Sequence, residues 1–190
     1  MTTAAVTGGA GDPAAGSLHT VGVGGLVVRG DGAVLLVRHT YGPSRGRLML
    51  PGGHLEAGEA LRATAVREVG EETGLACTAR GVIAVRQRLD VSPPNLYFVF
   101  LLAAPTDATP VVDGVELDAA FWLTPAEALA RDDLQPICAD ILRAWAADPR
   151  RELEPLPLDW AAAEDYLLWT GGAAPSAGED DEPHRPGPAV

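Results

Sequence analysis

The spacing of apolar positions changes character along the chain and outlines its elements. Thr20 to Arg29 reads TVGVGGLVVR, β-branched and punctuated by glycine, and Asp31-Gly32 supplies a turn before Ala33 to His39, AVLLVRH. That pattern predicts a strand hairpin. The short apolar run Leu48-Met49-Leu50 stops at Pro51-Gly52-Gly53, where paired glycines permit a tight backbone path with carbonyls or amides presented inward. From about Glu59 to Thr73 the residues are good helix formers, with Glu59 favouring the N-terminus and Gly74 a stop. Ala76 to Arg88 and Leu96 to Ala104 read as strands, separated by a loop that Pro93-Pro94 enforces, and Ala119 to Leu123 reads as a further strand. Thr124-Pro125-Ala126-Glu127 fits a capping box that opens a helix through about Ala130. Leu134 to Ala147 carries Ile137, Ile141, Leu142 and Trp145 at helical spacing, a core-packing stripe.

The ends differ from this middle. Residues 1–17 are small, Gly-rich and aperiodic, a tail expected to be disordered. A domain is expected over 18–148. In the extension 149–170, Asp159 caps a predicted short helix through about Trp169, and Trp160 and Trp169 suggest docking onto the body or onto a second copy in a homodimer. Residues 171–190, rich in Gly, Pro and acid, read as a second disordered tail.

Composition narrows the function. At 190 residues and 47% hydrophobic, the chain is long enough for one sizeable core. A net charge of -12, with no basic stripe, argues against a grip on polymeric nucleic acid. A small anionic substrate remains open, with metal ions to offset the repulsive field. Cys77 and Cys138 stand far apart with no zinc-type spacing, which reads as buried free thiols in a reducing compartment. There is no signal-like N-terminal pattern and no apolar run near the roughly 18 residues that span a bilayer, so the expectation is a cytoplasmic protein with no membrane partner.

The predicted central helix holds the densest chemistry. At about 100° per residue, Glu68, Glu71 and Glu72 share one face, with Ala65, Val66, Val69 and Gly70 expected roughly opposite to pack on a sheet. Three neighbouring carboxylates repel one another, and here they also lie at the negative end of the helix dipole. Hard divalent cations such as Mg²⁺ take carboxylate and phosphate oxygens and would reverse that repulsion, and the Gly52-Gly53 turn offers carbonyls to complete the set.

Gly53, Glu59, Arg67-Glu68-Val69, Glu71-Glu72 and Gly74-Leu75 together match the pattern G-x5-E-x7-R-E-U-x-E-E-x-G-U, U being aliphatic, at all nine defined positions over 23 residues. The chain therefore resembles the Nudix (MutT-like) hydrolase family, and the flanking strands and helix extend the likeness over about residues 18–148. The resemblance implies an α/β/α sandwich around a mixed β-sheet and a pyrophosphohydrolase, dependent on Mg²⁺ or on Mn²⁺ in its place, that cleaves a diphosphate bond in a small molecule, a nucleoside diphosphate linked to another group. By the same resemblance Glu68 and Glu72 are main metal ligands, Glu71 a further ligand or water-orienting group, and the Gly52 carbonyl a backbone ligand. Glu59 and Arg67 brace the loop against the helix. A water attacks phosphorus directly, and its general base comes from the box helix or from a later glutamate, for which Glu116 is the candidate and Asp113 and Asp118 the rivals.

The substrate is the least legible part. Arg38, Arg45, Arg47, Arg86 and Arg88 are expected near the mouth of the cleft, where guanidinium can clamp phosphate. Tyr41, Tyr97 and Phe98 either stack on a base or fill the core. His54 either touches phosphate or caps its turn. Pro93 and Pro94 resemble the proline of ADP-ribose hydrolases but lie further from Leu75, and a nucleoside triphosphate substrate is equally open. The alternatives are a Nudix-like sensor that binds a nucleotide sugar without cleaving it, and a hydrolase of a non-nucleotide, for example isoprenyl, diphosphate.

Overall fold

The structure, a computed structural model, describes residues 18–156 and 168–170. Its framework is a seven-stranded mixed sheet. The strands are β1 (Thr20–Val28), β2 (Val34–His39), β3 (Leu48–Met49), β4 (Gly52–His54), β5 (Thr78–Arg88), β6 (Asn95–Ala103) and β7 (Leu117–Leu123). Helix α1 (Leu61–Thr73) follows β4, and α2 (Pro125–Leu129) and α3 (Pro136–Ala147) follow β7.

β1 and β6 run side by side in parallel over nine residue pairs, Thr20↔Asn95 to Val28↔Ala103, while the other ladders are antiparallel. This central pair is buried on both faces, which explains why Phe98-Val99-Phe100-Leu101-Leu102 is an unbroken apolar run. Successive side chains go to opposite cores. Phe100 and Leu102 join Val23, Val27, Leu35, Ala65 and Val69 under α1. Val99 and Leu101 join Leu26, Leu36, Cys138 and Leu142 under α2 and α3.

The predicted β1–β2 hairpin holds only at its turn, where Arg29 N–H donates to the Ala33 carbonyl and Val28 faces Val34. Beyond that point the strands part. β4 pairs with Gly22, Val23 and Gly24 of β1, and β2 turns to β3 and β7. Glycine makes the exchange possible, since a Cβ on Gly52 would come to 2.4 Å from the Val23 carbonyl oxygen.

The helices form where the sequence places them, with α1 and α3 each starting two residues later than expected, at Leu61 and Pro136. α1 begins at Leu61, after an Ala60 N-cap that makes no side-chain bond, so Glu59 sits before the helix. It ends at Gly74 in the left-handed conformation, whose N–H donates to the Gly70 carbonyl. The capping box of α2 forms with both of its bonds present, Thr124 to Glu127 and back.

Past α3 the backbone of Leu153 pairs with Val82 in both directions, at 2.9 and 2.8 Å, and lies along the outer edge of β5. Two short strands, β8 (Glu154–Leu156) and β9 (Leu168–Thr170), pair with each other. The helix expected from Asp159 lies outside the described residues apart from its end, where Leu168 and Trp169 belong to a strand. Trp169 docks edge-on against Phe100, ring centroids 5.3 Å apart, while Trp160 lies outside the described residues. No described helix is long and apolar enough to cross a membrane.

Candidate active site

The loop from β4 into α1 is held by one arginine. Arg67 Nε donates to Glu59 Oε1 at 2.9 Å and its Nη2 to Glu59 Oε2 at 3.0 Å, a two-point grip that also takes in the His54 carbonyl at 3.2 Å. The guanidinium beside Glu59 pulls that carboxyl down to about 2. Thr64 Oγ1 adds a bond to Glu59 at 2.8 Å. Glu59 and Arg67 thus fasten the loop to the first turns of α1. Through Nη1 the same arginine reaches Glu68 and Glu71, each at 2.9 Å.

The helix face differs from the simple expectation. Thr64, Ala65, Val69 and Thr73 are buried against the sheet, so Ala65 is not opposite the acids but borders them. Glu72 follows on the same seam, because Ala65 and Glu72 are separated by two turns. Glu72 is therefore drawn inward, where its Oε2 accepts the Gly52 N–H at 2.9 Å. Desolvation pushes its carboxyl up to about 7, helped by the negative charges of Glu68, Glu116 and Asp113 and opposed by the Gly52 bond. Glu68 is only 14% exposed and lies so close over Gly53 that a Cβ there would stand 2.4 Å from its carboxylate. Glu71 is 61% exposed and points outward.

The loop between β6 and β7 adds to the acidic group, since the charges of Glu116 and Asp113 act on Glu72. The Val111 N–H bonds the Thr73 carbonyl at 2.8 Å, fastening this loop to the end of α1. Within it Asp113 accepts the N–H groups of Val115, Glu116 and Leu117, which lowers its carboxyl and commits it to the turn. Asp118 is ion-paired with Arg38 at 2.7 Å. Of the three acids considered for the base, Glu116 is the one without a partner of this kind among the described residues, and its negative charge is the chief cause that raises the nearby Tyr41 hydroxyl.

Beside Gly52 and Gly53 opens a cavity of about 230 Å³ lined by His39, Met49, His54, Arg86, Tyr97 and Cys138 among others. The structure brings Arg86 and His54 there. Arg38 is engaged by Asp118, Arg88 by Asp90 at 2.7 Å, and Arg47 by the Asp132 carbonyl, while Arg45 is exposed. Tyr97 joins the cavity, whereas Phe98 packs with the core under α1 and Tyr41 stands beside Glu116. Both cysteines are free thiols, Cys138 buried and Cys77 half-buried.

Asn95, Ile137 and the strand glycines 22 and 24 belong to this neighbourhood without having been singled out as site residues. The glycines carried a usable signal, since two glycines two apart in a strand mark a close approach on one face. Asn95, at the end of a proline loop, carried none.

The donor set suits a divalent cation. Glu72 is sheltered, raised and without a cationic partner among the described residues, with Glu68 beside it over a glycine. Side chains are nonetheless not gathered at ligating distance: no group of three acidic, histidine or cysteine residues converges so among the described residues. Arg67 accounts for part of that, because it holds Glu68 and Glu71 to itself.

Comparison with known proteins identifies the family. Residues 18–145 match the NUDIX domain family. Nudix hydrolase 8 of Arabidopsis thaliana is 38% identical over 117 residues, 60% of this chain and 31% of that protein. The ADP-ribose pyrophosphatase of Methanocaldococcus jannaschii is 35% identical over 88 residues, 45% of this chain and 52% of that one. The chain thus spans about a third and about a half of the length of these two relatives. A Nudix hydrolase from Nitrosomonas europaea superposes with a TM-score of 0.61 at 25% identity, covering 68% of this chain and 71% of that one. A mixed sheet with helices on both faces, carrying this loop and helix, defines a Nudix-type α/β domain. The chain belongs to the Nudix family.

Proposed function

We propose that this protein hydrolyses a phosphoanhydride bond in a nucleoside diphosphate derivative, with water as the nucleophile. The observation that carries the reading is Glu72, a carboxylate kept inward at the Gly52 turn with acids around it and no side-chain cation of its own among the described residues. Burying a charge in that company is unfavourable unless a bound cation compensates it.

Glu68, Glu71, Glu72 and the Gly52 carbonyl would hold Mg²⁺, or Mn²⁺ in its place. When bound, the ion neutralises phosphate oxygens and lowers the pKa of water. Arg67 sets the approach of Glu68 and keeps the loop seated on the helix, and Gly53 leaves the space into which the Glu68 carboxylate fits. Glu116 takes the proton from the attacking water, its backbone held in place by the turn that Asp113 ties. The group attached to the diphosphate occupies the cavity beside Gly52, where Arg86 and His54 meet it. An ADP-ribose-like compound is supported by the archaeal pyrophosphatase relative, and a nucleoside triphosphate fits the same site.

The test is a panel of nucleoside triphosphates, ADP-ribose-like compounds and isoprenyl diphosphates with Mg²⁺ and product identification. Release of phosphate, pyrophosphate or a nucleoside monophosphate from a nucleotide, lost in Glu72→Gln, supports the reading. Tight binding of nucleotides with no turnover would instead make the protein a sensor, and turnover of isoprenyl compounds alone would move it to a different substrate class.

A further inference from the structure

One row of residues crosses the sheet through the cavity. Arg86 faces Tyr97, Tyr97 faces Gly22, and Gly22 faces His54. Arg86 is therefore three strand spacings, about 14 Å, from His54, where the chain leaves β4 toward the acids of α1. The Tyr97 ring lies over Gly22 and Gly24, so closely that a Cβ at Gly24 would overlap its hydroxyl. Those two missing side chains let the ring lie flat as a floor. Met49, Leu50, Ile137 and Cys138 add largely apolar walls. At about 230 Å³ the space is below the roughly 300 Å³ where drug-sized ligands begin, which suits a single ring system.

Arg86 is the cation of this cavity, and its orientation is built in. Its Nη2 donates to Asn95 Oδ1, and its Cζ stands 5.2 Å from the Tyr97 ring centroid. Asn95 cannot turn its amide round, because Nδ2 donates to Thr20 through both the carbonyl, 3.2 Å, and the hydroxyl, 3.0 Å. Yet Arg86 Nε is buried without an acceptor, and no carboxylate pairs with this guanidinium among the described residues. The acid within its electrostatic reach, Asp90, is gripped twice by Arg88 at 2.9 and 2.7 Å. A sheltered fork of donors with one acceptor is unsatisfied by the protein itself.

Resting on the hydrolase reading above, we propose that Arg86 is a specificity-determining residue. Held by Asn95 and backed by Tyr97, it selects substrates whose group beyond the diphosphate is a planar ring bearing a carbonyl acceptor, an oxopurine or oxopyrimidine, over a 6-aminopurine. A guanidinium reads two adjacent acceptors at once, as on the O6 and N7 edge of an oxopurine. A 6-aminopurine puts a donor where this site already has donors, and sites built to hydrogen-bond one pattern reject the other strongly.

Inosine and adenosine 5′-triphosphates differ at this edge by a carbonyl for an amino group and make the test. With Mg²⁺, kcat/KM is expected to favour the inosine compound about 5- to 100-fold, the range of one bidentate base contact. Arg86→Met and Arg86→Lys both bring the ratio close to one, since lysine keeps the charge but loses the fork. Equilibrium binding of inosine and adenosine 5′-diphosphates to the wild-type protein in EDTA reads the same preference without chemistry. Equal or adenosine-favouring values in the wild type overturn the proposal. So does Arg86→Met weakening both nucleotides alike with the ratio intact, because that assigns Arg86 to the phosphates. An inosine preference in binding with neither triphosphate cleaved leaves this proposal standing and removes the hydrolase reading, whereas turnover without preference does the reverse.

Discussion

Replacing Glu72 by glutamine should make the metal-free protein more stable while abolishing its activity. The wild-type carboxyl is raised from 4.5 to about 7, chiefly by burial. Each tenfold change in proton affinity is worth about 1.4 kcal/mol, so carrying this charge in the fold costs about 3 kcal/mol once the group is ionised. The sign follows from proton binding. Between pH 4.5 and 7 the folded state holds the proton and the unfolded state does not, so this group's contribution is favourable below pH 4.5 and is lost as pH rises through 7. Glutamine keeps an oxygen for the Gly52 N–H and never ionises. In EDTA, Glu72→Gln should match the wild type near pH 4.5 and exceed it at pH 8 by about 6–12 °C in Tm, at 2–4 °C per kcal/mol for a chain of this size. Differential scanning calorimetry across that range measures it, and Mg²⁺ should raise the wild-type Tm far more than the variant's. A difference that does not change with pH, or a variant less stable at pH 8, would refute the reasoning.

Other outcomes follow from the same geometry. Gly53→Ala forces the Glu68 carboxylate aside and should lower kcat about a hundredfold, read by steady-state kinetics with the fold checked by circular dichroism. Glu116→Gln should lower kcat by about 10²–10⁴ in steady-state kinetics with KM little changed, with Asp113→Asn disturbing the loop instead. Glu59→Gln loosens the Arg67 grip and should cost about 1 kcal/mol at neutral pH after allowance for solvent screening. Because the Glu59 carboxyl is lowered to about 2, that cost is present in full above about pH 5 and fades as pH falls toward 2, which urea denaturation at several pH values will show. Leu153→Pro removes the N–H that bonds Val82 and should expose the edge of β5, seen as faster hydrogen exchange there.

Much of this could be read from residue order because local rules and tertiary packing agree. Gly74 stops α1, Thr124 and Glu127 cap α2, and the apolar run of β6 is buried on both faces as its composition suggests. The spacing of Glu59, Arg67, Glu68, Glu71 and Glu72 led directly to the loop and helix now seen around Arg67. What sequence missed depends on distant partners. The β1–β2 hairpin opened because β4 enters beside Gly22–Gly24, a choice made by backbone clearance at Gly52 rather than by any turn signal. Arginines that looked alike in the sequence were separated by what lies opposite them: Arg38 met Asp118, Arg88 met Asp90, and Arg86 met an amide and a ring. The seam position of Glu72 needed the burial of Thr73 and Ala65 to be known first.

The most direct measurement is oxygen tracing during turnover. The protein is incubated with the nucleotide it cleaves, with Mg²⁺, in ¹⁸O-labelled water, and the products are resolved by mass spectrometry. The account predicts one labelled oxygen in a phosphate-containing product, formed only with the divalent cation and absent in Glu72→Gln. Nucleotide binding with no labelled product under any of these conditions would contradict it.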